Sequence, residues 1–489
     1  MQHIQVNQDQ FLSQEPLTKR KELGQYFTGS KIANFMAKLA TLKISSREIS
    51  ILDAGAGAGI LGIASAYEAV QLGHTKIQLI CYERDVSVLP LLQQHLEVAK
   101  EDLKKQEITF KYEIRSLDFI LTPPEEYFDL CCINPPYFKY SSKNSPYAQS
   151  TKDLFRGDPN IYALFVARSL DKLKTDGELI FITPRSFTNG LYFKNFRKYL
   201  IQNSSIKFIH IFKSRKEAFK DTEVLQENVI FKLKKDKLQQ DIYVSSSYGI
   251  DDLDQSDLNI YTSELIIDNQ TSESFIRIPE AKKDAEILHL VEQWPSSFEE
   301  LGYFISTGPV VEYRAGSFVE PNNEANSIPL INAHNIKDLE VQWTGNHPKD
   351  RKFNLIDNFS KWVVGNSYYV IMRRISSKDE KRRIGAAVYT PSDDRQEFVA
   401  LENHINFIGN KSRELSKEEA YGLALILRSK IFDTYFRCIS GNTQINATEI
   451  KTLKLPSLQL INQIGSKWLN DNIDEDIVNT ILERHLNYD

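Results

Sequence analysis

Ile51-Leu52-Asp53-Ala54-Gly55-Ala56-Gly57-Ala58-Gly59, followed by Ile60-Leu61-Gly62-Ile63-Ala64-Ser65-Ala66, is the stretch whose reading decides the fold. A short apolar strand ends on an acid, the chain turns through glycines, and a helix-like run begins. Glycines at such a turn let the backbone fold tightly and approach a ligand at the N-terminus of the next helix. Taken alone, the pattern suits a dinucleotide cradle or a plain tight turn equally well.

Working outward, short apolar runs recur at Ile77–Cys81, Phe128–Ile133, Glu178–Ile182, Phe208–Phe212 and Asn228–Phe231, separated by longer amphipathic stretches. Near-continuous hydrophobic strands alternating with helices predict a parallel sheet covered on both faces, a doubly wound α/β domain. Acids close its first three strands in order: Asp53, then Glu83, then Asp118 followed by Phe119. Carboxylates at successive carboxyl ends of a parallel sheet line the crevice where such sheets bind ligands. Glu83 is placed to accept ribose hydroxyls and Asp118 an adenine amino group; a glutamate after the second strand also suits a nicotinamide dinucleotide.

Asn134-Pro135-Pro136-Tyr137, directly after the run 128–133, narrows the chemistry. An aromatic amine is a poor nucleophile because its lone pair is delocalised into the ring. Two acceptors aimed at its hydrogens, the Asn134 side-chain carbonyl and the Pro135 main-chain carbonyl, can draw that pair out of conjugation. Proline lacks a donor and fixes φ, which holds the carbonyl in place. Tyr137 offers a face on which a planar substrate can stack.

The sequence of 489 residues carries a net charge of −5 and four cysteines, with no paired or ligand-spaced set among them. Neither a disulfide framework nor a metal centre is expected, and a reducing cytoplasm is. The polar N-terminus lacks a signal pattern, and no apolar run approaches the ~18 residues of a membrane span. Charge is unevenly distributed: residues 1–240 hold a surplus of 7 positive charges and residues 241–489 a surplus of 12 negative ones. The segment 241–285, acidic and serine-rich, reads as a linker between a catalytic domain over 1–240 and a second, mixed α/β domain over 286–489. In that second domain strands are expected near Trp362–Val364 and Tyr368–Met372. A helix opens at the capping box Ser416-x-x-Glu419 and runs to about Arg437, and another covers Asp474 to His485.

The order Lys21-Glu-Leu-Gly-Gln-Tyr-Phe-Thr28, the glycine loop, Asn-Pro-Pro-Tyr and a large C-terminal region resembles the gamma class of adenine-specific DNA methyltransferases of restriction-modification systems, in the Eco57I-like and PstI/BsuBI-like branch. The resemblance covers residues ~20–235 specifically. It implies a class I methyltransferase fold with a mostly parallel seven-stranded sheet, S-adenosylmethionine as cofactor, and methylation of the N6 amine of an adenine flipped out of duplex DNA. It also implies that Thr28 holds the amino-acid end of the cofactor, Asp53, Ala54 and Gly55 its methionine moiety, Glu83 the ribose, and Asp118 with Phe119 the adenine. The catalytic group is Asn134, Pro135 and Tyr137, with Phe219 as a second stacking face. Gly29 stands where the family usually has proline.

The C-terminal half resembles target-recognition regions, on Ser440-Gly-Asn-Thr-Gln-Ile-Asn-Ala-Thr448 and Leu453-Lys-Leu-Pro456. Arg373, Arg374, Lys381, Arg382 and Arg383 form a basic run in an acidic half and, with Ser440 and Asn442, are candidates for DNA contact. Double-stranded DNA is the expected partner, with a cognate restriction endonuclease acting on the same site. Two other readings fit less well: a DNA-binding subunit of a multisubunit restriction complex, and a methyltransferase acting on RNA or on protein glutamine.

Overall fold

The computed structural model describes residues 2–14, 27–42, 46–140, 145–157, 160–214, 227–269, 271–319, 326–377, 379–392, 396–471 and 473–484. The chain divides into two compact units, Met1–Ala281 and Lys282–Asp489.

The first unit is built on one sheet of nine strands: β1 (Glu48–Ala54), β2 (Lys76–Tyr82), β3 (Thr109–Arg115), β4 (Phe128–Ile133), β5 (Leu173–Pro184), β6 (Ser205–Phe212), β7 (Asn228–Lys234), β8 (Ile242–Ser247) and β9 (Asp257–Tyr261). Their order is β3-β2-β1-β4-β5-β7-β6-β8-β9. Strands β1 to β5 run parallel, and β7 lies antiparallel between β5 and β6. The first seven strands in this order, with one reversed strand, make the class I methyltransferase sheet. The chain reverses direction across the sheet between β1 and β4, which leaves a crevice at the carboxyl ends of these strands.

Helices α1 (Gln2–Gln14), α2 (Ser30–Lys38), α3 (Ile60–Gln71), α4 (Leu89–Lys105), α5 (Pro146–Ser150), α6 (Ile161–Asp171) and α7 (Lys194–Asn203) complete the unit. The core gathers Ile32 and Met36 of α2, Ile63 of α3 and Leu92 and Leu96 of α4 over Ile51, Leu79, Leu130 and Ile180 of the strands. Because side chains alternate along a strand, Leu52, Ile80, Cys131 and Leu179 point the other way and are fully buried too. Both faces are therefore covered, which is why the runs read as continuously apolar.

The segment 241–285 differs from the expected linker. Ile242–Ser247 pairs in parallel with β6, and Asp257–Tyr261 closes the sheet beyond it. Ser245, Ser246 and Ser247 are buried in that sheet rather than solvated.

In the second unit a six-stranded sheet runs Tyr303–Thr307, Ile405–Asn410, Tyr369–Arg373, Ala386–Tyr389, Glu340–Val341, Ile336–Lys337, beside a four-stranded sheet of Arg351–Asn354, Ser327–Ile331, Phe398–Leu401 and Val363–Gly365. The capping box is present: Glu419 N donates to Ser416 Oγ at 3.1 Å and Ser416 N to Glu419 Oε2 at 3.4 Å. The single helix expected to reach Arg437 is two helices, Lys417–Arg428 and Lys430–Ile439. Ser429 breaks it: its φ/ψ of −58/151 leaves the helical region, and its hydroxyl caps the second helix by accepting from Phe432 N at 3.1 Å. The last helix is Glu475–Arg484, preceded by Leu458–Asp471. Among the described residues no helix is long and apolar enough to cross a membrane.

Candidate active site

A cavity of about 320 Å³ opens at the carboxyl ends of β1, β2 and β4, within the size range of small-ligand sites. Its floor is the glycine turn. Gly57 has φ +52, and a Cβ there would stand 3.1 Å from the Phe27 ring, so only glycine lets that ring close over the turn. The turn is pinned from below by Tyr82, whose carbonyl accepts from Gly55 N at 3.0 Å and from Ala56 N at 2.8 Å.

Glu83 and Asp118 both line the cavity, as their spacing predicts. The Glu83 carboxylate accepts from Gly57 N at 2.8 Å and from Asp85 N at 2.6 Å. Burial raises its pKa, partly offset by those two amides. Asp118 Oδ1 accepts from Ile120 N at 3.0 Å, while its Oδ2 accepts from Tyr147 Oη at 2.9 Å and from Arg84 Nη1 at 3.2 Å. Phe119 is buried in the wall, its ring 5.3 Å from Tyr82 and 5.5 Å from Phe165. Acids after two successive strands, Glu83 with Asp85 and then Asp118, in a wall that also holds Phe27, Phe119 and Phe165, suit a ligand with a flat ring and adjacent hydroxyl groups.

Asp53 and Ala54 lie behind the turn that Gly55 carries into the cavity wall. Both are fully buried and absent from the cavity lining. Asp53 Oδ2 accepts from Gly62 N at 2.8 Å, in the first turn of α3, where the exposed amides of a helix favour a negative group. Its other oxygen is buried without a hydrogen-bond partner. Burial pushes this carboxyl up to about 7, against the lowering effect of the Gly62 amide, with a smaller upward push from Glu83. Asp53 thus holds the turn from behind.

The Asn134–Tyr137 loop is tied on both sides. Asn134 Nδ2 donates to Thr28 Oγ1 at 3.0 Å, and Tyr137 Oη donates to Asn134 Oδ1 at 2.7 Å. Tyr137 Oη also lies 3.0 Å from the Ile182 carbonyl on β5. Donor and acceptor partners on opposite sides of one amide fix which atom faces which way. Asn134 and Pro136 line the cavity, and Pro135 is buried behind them. The Tyr137 ring meets Tyr162 edge-on at 6.1 Å.

Thr28 is itself positioned by α1, a helix that sequence reasoning missed. Gln8 Nε2 donates to the Thr28 carbonyl at 3.1 Å, and Gln8 reaches the cavity. Buried Ile4 and Gln8, one helical turn apart, were the available signal. Gly29 takes φ −73, a value proline itself adopts, so glycine there leaves the backbone unchanged. Arg84, Tyr147 and Phe165 also line the cavity without any motif to announce them. Phe219 lies outside the described residues.

The candidate DNA contacts of the second unit fall into three groups. Arg373 and Lys381 are exposed. Arg383 and Ser440 are interior and cannot reach a phosphate. Arg383 N donates to Asp433 Oδ1 at 2.6 Å, and its guanidinium to the carbonyls of Ser440 and Asn442 while packing over Phe436. Ser440 Oγ donates to Glu449 at 3.2 Å. Arg382 pairs with Glu475, and Arg374 Nη1 donates to the Asn403 carbonyl at 3.1 Å. Those two hold loops of the unit to each other. His334, His347 and Asp350 also converge there, with His334 Nε2 and Asp350 Oδ1 2.7 Å apart. His347 Nδ1 already accepts from Lys349 N at 3.1 Å.

A family model described as Eco57I restriction-modification methylase matches residues 58–219. Over 475 residues the chain is 36% identical to the type II methyltransferase M.BsuBI of Bacillus subtilis, spanning 95% of this chain and 93% of that protein. It is 32% identical over 479 residues to the type II methyltransferase M.PstI of Providencia stuartii, covering 96% and 94% of the two. Among solved structures, a DrdV–DNA complex determined by cryo-electron microscopy matches with a TM-score of 0.52 at 12% identity, over 95% of this chain and 59% of that one, a likeness of fold. Identity of about a third to two type II methyltransferases over nearly the full length, on a sheet with the methyltransferase strand order, makes this chain a member of the type II DNA methyltransferases of restriction-modification systems, in the Eco57I-like branch.

Proposed function

We propose that the protein transfers a methyl group from S-adenosylmethionine to the N6 amine of a specific adenine in duplex DNA. The observation that carries this reading is the Asn134 amide, held between Thr28 and Tyr137 at the rim of a cavity that Glu83 and Asp118 also line.

The residues present fit this cofactor: Gly57, at a φ that favours glycine, brings the turn under the Phe27 ring, and Glu83 and Asp118 line the cavity with Phe119 in its wall. Glu83 would hold the ribose and Asp118 the adenine; the bound cofactor supplies an electrophilic methyl group on a sulfonium. Asn134 Oδ1, which accepts from Tyr137, would also accept an amine hydrogen of the substrate. The Pro135 carbonyl takes the second hydrogen. Together they pull the nitrogen towards tetrahedral geometry and free its lone pair for attack. The amine proton leaves after the new N–C bond has formed, so no strong base is required.

An adenine paired in a duplex cannot reach this depth and must be everted. The second unit is the proposed reader of sequence, with Arg373 and Lys381 towards the phosphates. A cognate endonuclease cutting the same unmethylated site, in the cytoplasm, completes the proposed system. The test is tritium transfer from labelled cofactor to DNA, with long-read sequencing to identify the modified atom and its context. Asn134→Ala should abolish incorporation. Robust transfer by that variant, or methyl found on cytosine, would sink the assignment.

A further inference from the structure

Beside the catalytic loop the first unit carries an aromatic side chain that no step above uses. After β5 the chain passes through a short turn at Arg185–Thr188 and Gly190 into the single turn Leu191–Phe193. Since β4 and β5 pair in parallel with Ile133 against Phe181, this segment leaves the sheet next to residues 134–137. Tyr192 is 77% exposed there and Leu191 41%. Tyr127, also exposed, instead lies under the ammonium groups of Lys172 and Lys235, at 5.2 and 5.8 Å. Tyr192 has no ring, cation or hydrogen-bond partner among the described residues.

The segment presenting it is rigid. The buried Arg197 guanidinium donates to the carbonyls of Phe187 at 2.9 Å, Gly190 at 2.7 Å and Glu273 at 2.8 Å. A Cβ at Gly190 would stand 2.6 Å from the Ser186 carbonyl oxygen, so the turn admits only glycine. Phe193 stacks on Tyr162 with centroids 5.4 Å apart and planes at 16°, and Tyr162 in turn abuts Tyr137. Two apolar side chains are thus held out to solvent on a base continuous with the catalytic tyrosine. Two exposed cations flank this segment and the loop beside it: Arg156, whose carbonyl accepts from Asn195 Nδ2 at 2.7 Å, and Lys139, two residues past Tyr137.

We infer that Leu191 and Tyr192 form a wedge that enters duplex DNA beside the target base pair and fills the stacking position the everted adenine leaves. Apolar side chains inserted between base steps offset stacking lost when a pair opens, and the flanking cations match a phosphate backbone. This rests on the adenine-in-DNA reading and adds to it the group that stabilises the opened duplex.

The full chain, as wild type, Tyr192→Ala and Tyr192→Phe, is tested with S-adenosylhomocysteine bound, on duplexes carrying 2-aminopurine at the methylated position. Tyr192→Ala should lose about tenfold or more in affinity for the matched duplex, together with most of the fluorescence rise that reports eversion. It should recover on a duplex whose target is mispaired, where opening costs less, and Tyr192→Phe should behave as wild type. Unchanged S-adenosylhomocysteine binding establishes that the variant is folded. Wild-type affinity and fluorescence in Tyr192→Ala overturn the wedge, as does an equal loss on matched and mispaired duplexes. A wild-type chain that binds S-adenosylhomocysteine but neither binds nor opens any duplex overturns the DNA reading itself.

Discussion

The Asn134 side-chain nitrogen donates to the Thr28 hydroxyl at 3.0 Å, across 106 residues of sequence. The residue that aims the proposed catalytic amide therefore belongs to the N-terminal segment and not to the loop itself. Thr28→Val removes the acceptor while keeping the shape. Methyl transfer should fall about tenfold to a hundredfold, since small misplacements of a reacting group cost that much, with the melting temperature little changed. Thr28→Ser should restore the rate. Single-turnover kinetics on DNA would measure both, and equal rates in Thr28→Val and wild type would remove Thr28 from the mechanism.

Asp53 gives the fold a pH dependence of definite sign. Its native carboxyl, held up by burial, titrates at about 7 against an ordinary 3.8. Between those values the native state keeps a proton that the unfolded chain has lost, so stability falls as pH rises through this window. Asp53→Asn removes the charge and keeps the shape. Its melting temperature should match wild type near pH 4 and exceed it at pH 8, by an amount reflecting up to a few kcal/mol. Parallel melting curves at every pH would refute the assignment.

Two glycines lock a helix crossing in the second unit. A Cβ at Gly422 would lie 1.9 Å from the Ile461 carbonyl oxygen, and one at Gly465 1.8 Å from that of Glu418. Backbone cannot yield as a side-chain tip can, so Gly422→Ala or Gly465→Ala should cost about 3 kcal/mol or more. Denaturant unfolding followed by tryptophan fluorescence would register this as an earlier transition. Tolerance of both substitutions would mean that the helices cross at a greater distance.

The basic run should split by substitution. Arg383→Ala leaves the buried carbonyls of Ser440 and Asn442 without their cationic donor and should destabilise by about 2–5 kcal/mol. Arg373→Ala and Lys381→Ala should leave melting unchanged and weaken DNA binding at low salt. Each should lower the salt slope of log affinity by about 0.9 if one phosphate contact is lost. Filter binding across a salt series, beside thermal melts, separates the two behaviours. A stable Arg383→Ala defective only in DNA binding would reverse the interior assignment.

Strands β1, β2 and β4 to β7 were legible because sheets covered on both faces need near-continuous apolar runs, and the Asn-Pro-Pro-Tyr loop was legible because its chemistry demands particular residues. What escaped was polar sequence made interior by distant partners. Ser245 and Ser247 read as linker, yet lie against His210, at 2.7 Å from its Nδ1 and 3.1 Å from its Nε2. Burial pushes that imidazole down to about 3, so it stays neutral and shares hydrogen bonds with the serines. Arg383 read as a DNA contact for the same reason: the carbonyls that satisfy it lie beyond residue 439, and local charge carries no sign of them. Gln8 escaped because a glutamine-rich start resembles a solvated tail until Thr28 supplies its acceptor.

The reversed strand β7 has a consequence for how the protein is made. It sits between β5 and β6 but is synthesised after both. While residues 213–227 are still emerging from the ribosome, the edges of β5 and β6 that β7 will cover have unpaired amides and carbonyls. The half of the sheet that backs Tyr137, through Ile182 on β5, cannot consolidate until those edges are covered. Insertion of a late strand into the middle of a sheet is a long-range closure and a slow one. A nascent chain paused there would offer two sticky edges to its neighbours, so the step that completes the catalytic wall is also the one at which aggregation competes with folding.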